Sequence, residues 1–123
     1  MNQNTQLTPF FVKVSARSGE VASRIVSQVI LAPDADLAQD FAIFSLATDQ
    51  SSLEWGEIDG AYEMGWEWAH EYYGAQEMTQ EQLEVVSEFL KPITFNLEEL
   101  IRDGGDWLEH NEEYKPNTSE SQV

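Results

Sequence analysis

The stretch FFVKVSAR at residues 10–17 alternates apolar side chains with polar or charged ones after its first pair. This period of two is typical of a half-buried β-strand. Residues 17–20 then predict a turn, and a second strand rich in Ile and Val follows from about residue 22 to 31, before Pro33. Together the two stretches predict an N-terminal β-hairpin.

Helical spacing replaces this alternation further along the chain. Leu37, Phe41 and Phe44 predict a helix at about 35–48, with Asp34 and Asp36 both placed to cap its start. A second helix is predicted at 61–73, where one face carries Tyr62, Trp66, Ala69 and Tyr73. The intervening residues, 49–59, predict either a short third strand or an ordered loop.

Two capping signals predict the remaining helices. Thr79 and Gln82 have the spacing of a capping box, and they precede the helical positions Leu83, Val86 and Leu90. Asn96 and Glu99 repeat that spacing before a helix that Gly104 and Gly105 interrupt. We therefore expect an α+β domain, with an N-terminal antiparallel β-hairpin or three-stranded sheet packed against three to four acidic helices. We expect residues 9–114 to form this single domain, between a flexible N-terminus at 1–8 and a disordered polar tail at 115–123.

Composition restricts the function classes. The chain has no Cys, no apolar run of membrane-spanning length and no signal-peptide pattern at its start, so we expect a soluble cytoplasmic protein, located in host cytoplasm if phage-encoded. Its net charge is −17, and it is divided unevenly: residues 1–33 carry +2 and residues 34–123 carry −19. Such a charge repels nucleic acid and anionic membranes and attracts cationic proteins. A homodimer is compatible with either function considered below.

Regular rows of glutamates are the most specific feature of the acidic part. On the predicted helices, one row contains Glu63, Glu67 and Glu71, and a second contains Glu77, Glu81, Glu84 and Glu88. Like charges at helical spacing cost about 0.2–0.5 kcal/mol per pair, and residues 26–90 contain no Lys or Arg to offset them. Carboxylates four residues apart on a helix are about 6 Å apart, comparable with the charge spacing of a nucleic-acid strand. The rows therefore predict a surface that binds a basic partner.

This layout resembles the acidic DNA-mimic inhibitors of phages and mobile elements, which block restriction enzymes, CRISPR complexes or other DNA-binding proteins. The resemblance covers residues 34–114, lies in charge distribution alone and assigns no individual residue. It implies a non-catalytic inhibitor of anti-CRISPR or anti-restriction type, which occupies the basic groove of a nucleic-acid-binding protein. The alternatives are an acidic adaptor or antitoxin-like partner of one basic protein, and an acidic surface that serves only solvation or a halophilic origin.

Other chemistry is less specific. Glu67 and His70 have the Glu-x-x-His spacing of di-metal bundles, but the second half-site is missing at His110, so we expect no metal and no cofactor. Paired carboxylates are too abundant to indicate catalysis, and the chain contains no nucleophile or phosphate-loop motif, so we do not expect an enzyme. Trp68 and Tyr72 are candidate partner contacts at the boundary of the predicted 61–73 helix, because Trp and Tyr anchor interfaces as well as fill cores.

Overall fold

The computed structural model describes residues 6–18 and 23–115 and contains a six-stranded sheet with three α-helices. Short 3-10 turns at Gln50–Ser52, Trp107–His110 and Glu112–Tyr114 complete the ordered elements. In chain order the strands and helices are β1 Thr8–Arg17, β2 Ser23–Ala32, α1 Ala35–Leu46, β3 Glu54–Trp55, β4 Gly60–Glu63, β5 Trp68–Glu77, α2 Gln80–Val86, β6 Ile93–Thr94 and α3 Leu97–Asp103.

The predicted hairpin is present, but it lies in the middle of the sheet. β1 pairs with β2 over ten residues, from Thr8 opposite Ala32 to Arg17 opposite Ser23. On its other side β1 pairs with β5, and the sheet order is β3-β4-β5-β1-β2-β6. β6 runs parallel to its neighbour β2, whereas the other described strand pairs are antiparallel. Because β1 has a partner strand on each side, its backbone N–H and C=O groups are hydrogen-bonded within the sheet. The alternation of its side chains between the two faces then decides which of them reach the core.

The core lies between one face of the sheet and α1. Phe10, Val12, Val14 and Ala16 of β1 are buried on this face, which we call the inner face. The buried helix residues Leu37, Phe41 and Phe44 pack against it, and Asp34 caps α1 by accepting a hydrogen bond from the backbone N–H of Leu37. Leu100 and Trp107 add the C-terminal segment to the same cluster.

The predicted fold is wrong in its central part. Residues 61–73 do not form a helix: they form β4, a turn at 64–67 and the first half of β5. The turn places Met64, Gly65 and Trp66 at positive φ, which is incompatible with a right-handed α-helix. The sheet therefore has six strands rather than two or three, and it is not a hairpin packed against a set of acidic helices.

Other local predictions are confirmed. α1 lies within the predicted 35–48 segment, and α3 begins after Asn96, which accepts a hydrogen bond from the backbone N–H of Glu99. α2 begins after Thr79 with both capping-box hydrogen bonds, but it ends at Val86, so the predicted helical position Leu90 lies beyond it. Residues 49–59 contain a 3-10 turn and the two-residue strand β3. The flexible segment and the tail predicted at the two ends fall largely on residues 1–5 and 116–123, outside the described residues, although Thr8 already belongs to β1.

Candidate partner-binding surface

Four exposed carboxylates surround α2. Glu77 ends β5, Glu81 and Glu84 lie on α2, and Glu88 lies in the turn that follows; we call these four residues the α2 acidic surface. Within residues 6–18 and 23–115, no Lys, Arg or His forms an ion pair with any of them. This predicted row therefore keeps its exposure and its uncompensated charge, although only part of it is helical.

A groove with an apolar lining lies beside these carboxylates. It has a volume of about 510 Å³. We call it the α2 groove, and it is lined by Phe11, Gln76, Glu77, Met78, Glu81, Gln82, Val85, Val86 and Phe89. Val85 is 62% exposed and Phe89 is 80% exposed, whereas Leu83, Val86 and Leu90 are half-buried. The helix thus buries one apolar row only partly and leaves a second row open to solvent.

The other predicted row is dispersed by the strands that replace the helix. Glu63 is buried in β4, at 2% exposure, and is unavailable to a partner. Glu67 is exposed in the turn before β5. Glu71 is half-buried, and its carboxylate pairs with the Arg17 guanidinium at 3.3 Å, so its charge is compensated. Glu63, Glu67 and Glu71 therefore do not form a single contact surface.

Glu63 belongs instead to a buried polar cluster with His70. Its Oε1 lies 2.7 Å from His70 Nε2, and its Oε2 accepts a hydrogen bond from the backbone N–H of Asp49 at 2.6 Å. These contacts join β4, β5 and the segment after α1. Glu67 is exposed in the turn whereas His70 is buried in β5, so the Glu-x-x-His pair does not form a two-ligand face. Among the described residues there is no group of three His, Asp or Glu side chains suited to a metal ion.

A second buried polar cluster centres on Asp40 and was not predicted. Its Oδ1 accepts from the Tyr72 hydroxyl at 2.6 Å, and its Oδ2 accepts from Trp107 Nε1 at 2.9 Å. Burial raises the pKa of the Asp40 carboxyl above its ordinary range, although the two hydrogen bonds oppose that shift. Burial and the nearby Asp40 also raise the pKa of Tyr72. A usable signal existed, because Asp40 lies on the same helical face as Leu37 and Phe44.

The two aromatic residues proposed as contacts are placed differently from each other. Trp68 is half-buried, and its ring stacks beside the His70 ring with centroids 6.4 Å apart. Tyr72 has an exposed fraction of 37%, but its hydroxyl is used by Asp40. Neither residue lines the α2 groove. The apolar residues that do remain open next to the acidic surface are Val85 and Phe89, which the helical pattern had left unassigned.

Comparison with known proteins adds no family: no family model, no curated protein and no solved structure matches the chain. The helices described within residues 6–115 are all too short or too polar to reach across a bilayer.

Proposed function

We propose that this protein is a non-catalytic acidic inhibitor that occupies the basic nucleic-acid-binding surface of another protein. The observation that carries the proposal is the α2 acidic surface, with four exposed carboxylates and no paired cation among the described residues. A surface that neutralises phosphates with Lys and Arg also binds such a polyanion favourably, because binding releases counterions into the solvent. The inhibitor then competes with nucleic acid for one site.

The placement of cations supports the same partner chemistry. The sequence has no Lys or Arg from residue 26 to residue 90, which includes all of the α2 acidic surface. Three of the six cations, Lys13, Arg17 and Arg24, lie in the hairpin strands β1 and β2. Arg17 is already paired with Glu71. A basic partner approaching α2 therefore meets four carboxylates, and the nearest cation in the sequence is Lys91, three residues after Glu88.

One observation favours a second function. The α2 groove is apolar, and the imitation of phosphates requires no apolar groove. An adaptor that binds one basic protein, without competing for its nucleic-acid site, would use such a groove to gain affinity from burial.

A competition experiment separates these two functions. The tagged chain is used at low ionic strength to capture a basic protein from a cell lysate, and the complex is then challenged with duplex DNA or with RNA. For an inhibitor we expect release by saturating nucleic acid, together with a steep loss of binding as salt increases. Retention at saturating nucleic acid contradicts the inhibitor and supports the adaptor. Failure to capture any basic protein contradicts both.

A further inference from the structure

The walls of the α2 groove restrict how a partner can enter it. One wall is formed by α2, with Val85, and by Phe89 in the turn that follows it, and the other includes Phe11 of β1. β1 is paired on both sides, with β2 and with β5, so its backbone has no free hydrogen-bonding edge there. β1 therefore offers side chains rather than a free strand edge to an occupant of the groove. The groove has a volume of about 510 Å³, within the roughly 300–1,000 Å³ typical of ligand pockets, and it can accept several bulky side chains.

Charge restricts the partner further. Of the described residues that line the groove, Glu77 and Glu81 are the charged ones, and Glu84 and Glu88 lie on or next to the same helix. Lys13 is near the far wall, with its Nζ 5.9 Å from the centre of the Phe11 ring, but it does not line the groove. An occupant therefore gains binding free energy by placing apolar side chains in the groove and cationic side chains against the α2 acidic surface.

We propose that the occupant is a basic amphipathic helix of the partner protein, which inserts its apolar face into the α2 groove and places its Lys or Arg residues against the α2 acidic surface. A helix presents apolar side chains three and four residues apart in one row, with its cations on either side of that row. This inference rests on the proposed function and names the segment of the partner that makes the contact. The affinity of the partner should then depend on the spacing of its apolar residues as well as on its charge.

Two synthetic peptides of identical composition test the inference. One is an 18-residue chain of Leu and Lys with the apolar residues at helical spacing, and the other has the same residues in an order without that spacing. We expect the amphipathic isomer to bind the full chain at least about tenfold more tightly at low ionic strength, because only it buries a row of Leu side chains. Fluorescence anisotropy of labelled peptides measures both affinities.

Matched variants locate the contact. Val85→Ser and Phe89→Ser alter exposed residues and should remove most of the difference between the isomers, leaving the affinity of the non-amphipathic isomer unchanged. Ile25→Ser, which changes an exposed aliphatic residue outside the groove, should leave both affinities unchanged. Circular dichroism confirms that each variant folds.

Different failures have different meanings. Equal affinity of the two isomers for the wild-type chain overturns the inference and leaves the proposed function standing. Failure of both isomers to bind contradicts the proposed function as well, since an acidic surface that attracts basic proteins must retain a cationic peptide. If the chain alone is a dimer that Phe89→Ser converts to a monomer, a second copy fills the groove and the inference is overturned.

Discussion

The Glu63 carboxylate lies 2.7 Å from Nε2 of His70, with both side chains almost fully buried. A glutamate that sequence spacing assigns to an outward row thus joins two neighbouring strands from inside the fold. The same carboxylate also holds the backbone N–H of Asp49. Its role is to stabilise the fold, and it is not available to the proposed contact with a partner.

Replacement of Glu63 tests that role. Glu63→Ala leaves His70 and the Asp49 N–H without their partner, and leaving a buried hydrogen-bonding group unsatisfied typically costs about 1–3 kcal/mol of unfolding free energy. Glu67→Ala, four residues away and exposed, should change it by less than about 0.5 kcal/mol. Urea denaturation measures both. Similar values for the two variants would show that the buried pair contributes nothing particular.

The hydrogen bond between Tyr72 and Asp40 provides a second test. Tyr72→Phe removes a donor from a buried carboxylate, and hydrogen bonds to charged groups contribute about 1.5–3 kcal/mol. The adjacent Tyr73 is 61% exposed and is the matched control, because Tyr73→Phe should change stability by less than about 0.5 kcal/mol. Equal effects in thermal or urea unfolding contradict the assigned contact.

Burial of Asp40 predicts the sign of a pH dependence. Since its pKa is raised in the folded state above the ordinary value of 3.8, the unfolded chain releases this proton first as pH rises. The contribution of Asp40 to stability therefore falls as pH increases from about 3.8 through its folded pKa, and is constant above it. The unfolding free energy of the wild-type chain minus that of Asp40→Asn should fall over this range. Parallel stability curves for the two proteins would contradict the raised pKa.

Two phenylalanines are expected to contribute very differently to the stability of the fold. Phe89 is 80% exposed, so Phe89→Ala should change the unfolding free energy by less than about 0.5 kcal/mol. Phe41 is 3% exposed in the core, and Phe41→Ala should cost about 3–5 kcal/mol. A large loss of stability for Phe89→Ala would mean that this residue serves folding, and the α2 groove would then lose its proposed role as a contact.

Local sequence patterns were sufficient to predict elements whose structure depends on nearby residues alone. Alternation in β1, the apolar spacing of α1 and the caps at Thr79 and Asn96 each predicted the correct element. These signals act within a few residues, so no tertiary information was needed. The position of the hairpin in the middle of the sheet depends on β5, which pairs with β1 from more than fifty residues away.

The segment 61–73 shows why a single period misleads. Tyr62, Trp66, Ala69 and Tyr73 have the spacing of one helical face. Trp68, His70 and Tyr72 also alternate as in a strand, and Trp and Tyr favour strands. Gly65 inside the predicted helix was the discriminating signal, because Gly costs about 1 kcal/mol relative to Ala in a helix interior. In the structure it lies at the centre of the turn between β4 and β5.

The sequence pattern did not predict which individual acidic residues are buried. Net charge counts Glu63 and Asp40 with all the others, whereas the structure buries both and gives each a hydrogen-bonding partner. Of the predicted contacts, only the row from Glu77 to Glu88 remains exposed as a group.

The most direct test of the α2 acidic surface compares two triple variants with the same change in charge. Glu81→Gln, Glu84→Gln and Glu88→Gln together neutralise the proposed contact, whereas Glu98→Gln, Glu109→Gln and Glu113→Gln neutralise exposed carboxylates outside it. The measurement is the dissociation constant for the captured basic partner at fixed salt. We expect the first variant to bind at least about tenfold more weakly than wild type and the second to bind within about threefold of it. Equal weakening in the two variants would contradict a contact at α2 and show that net charge alone attracts the partner.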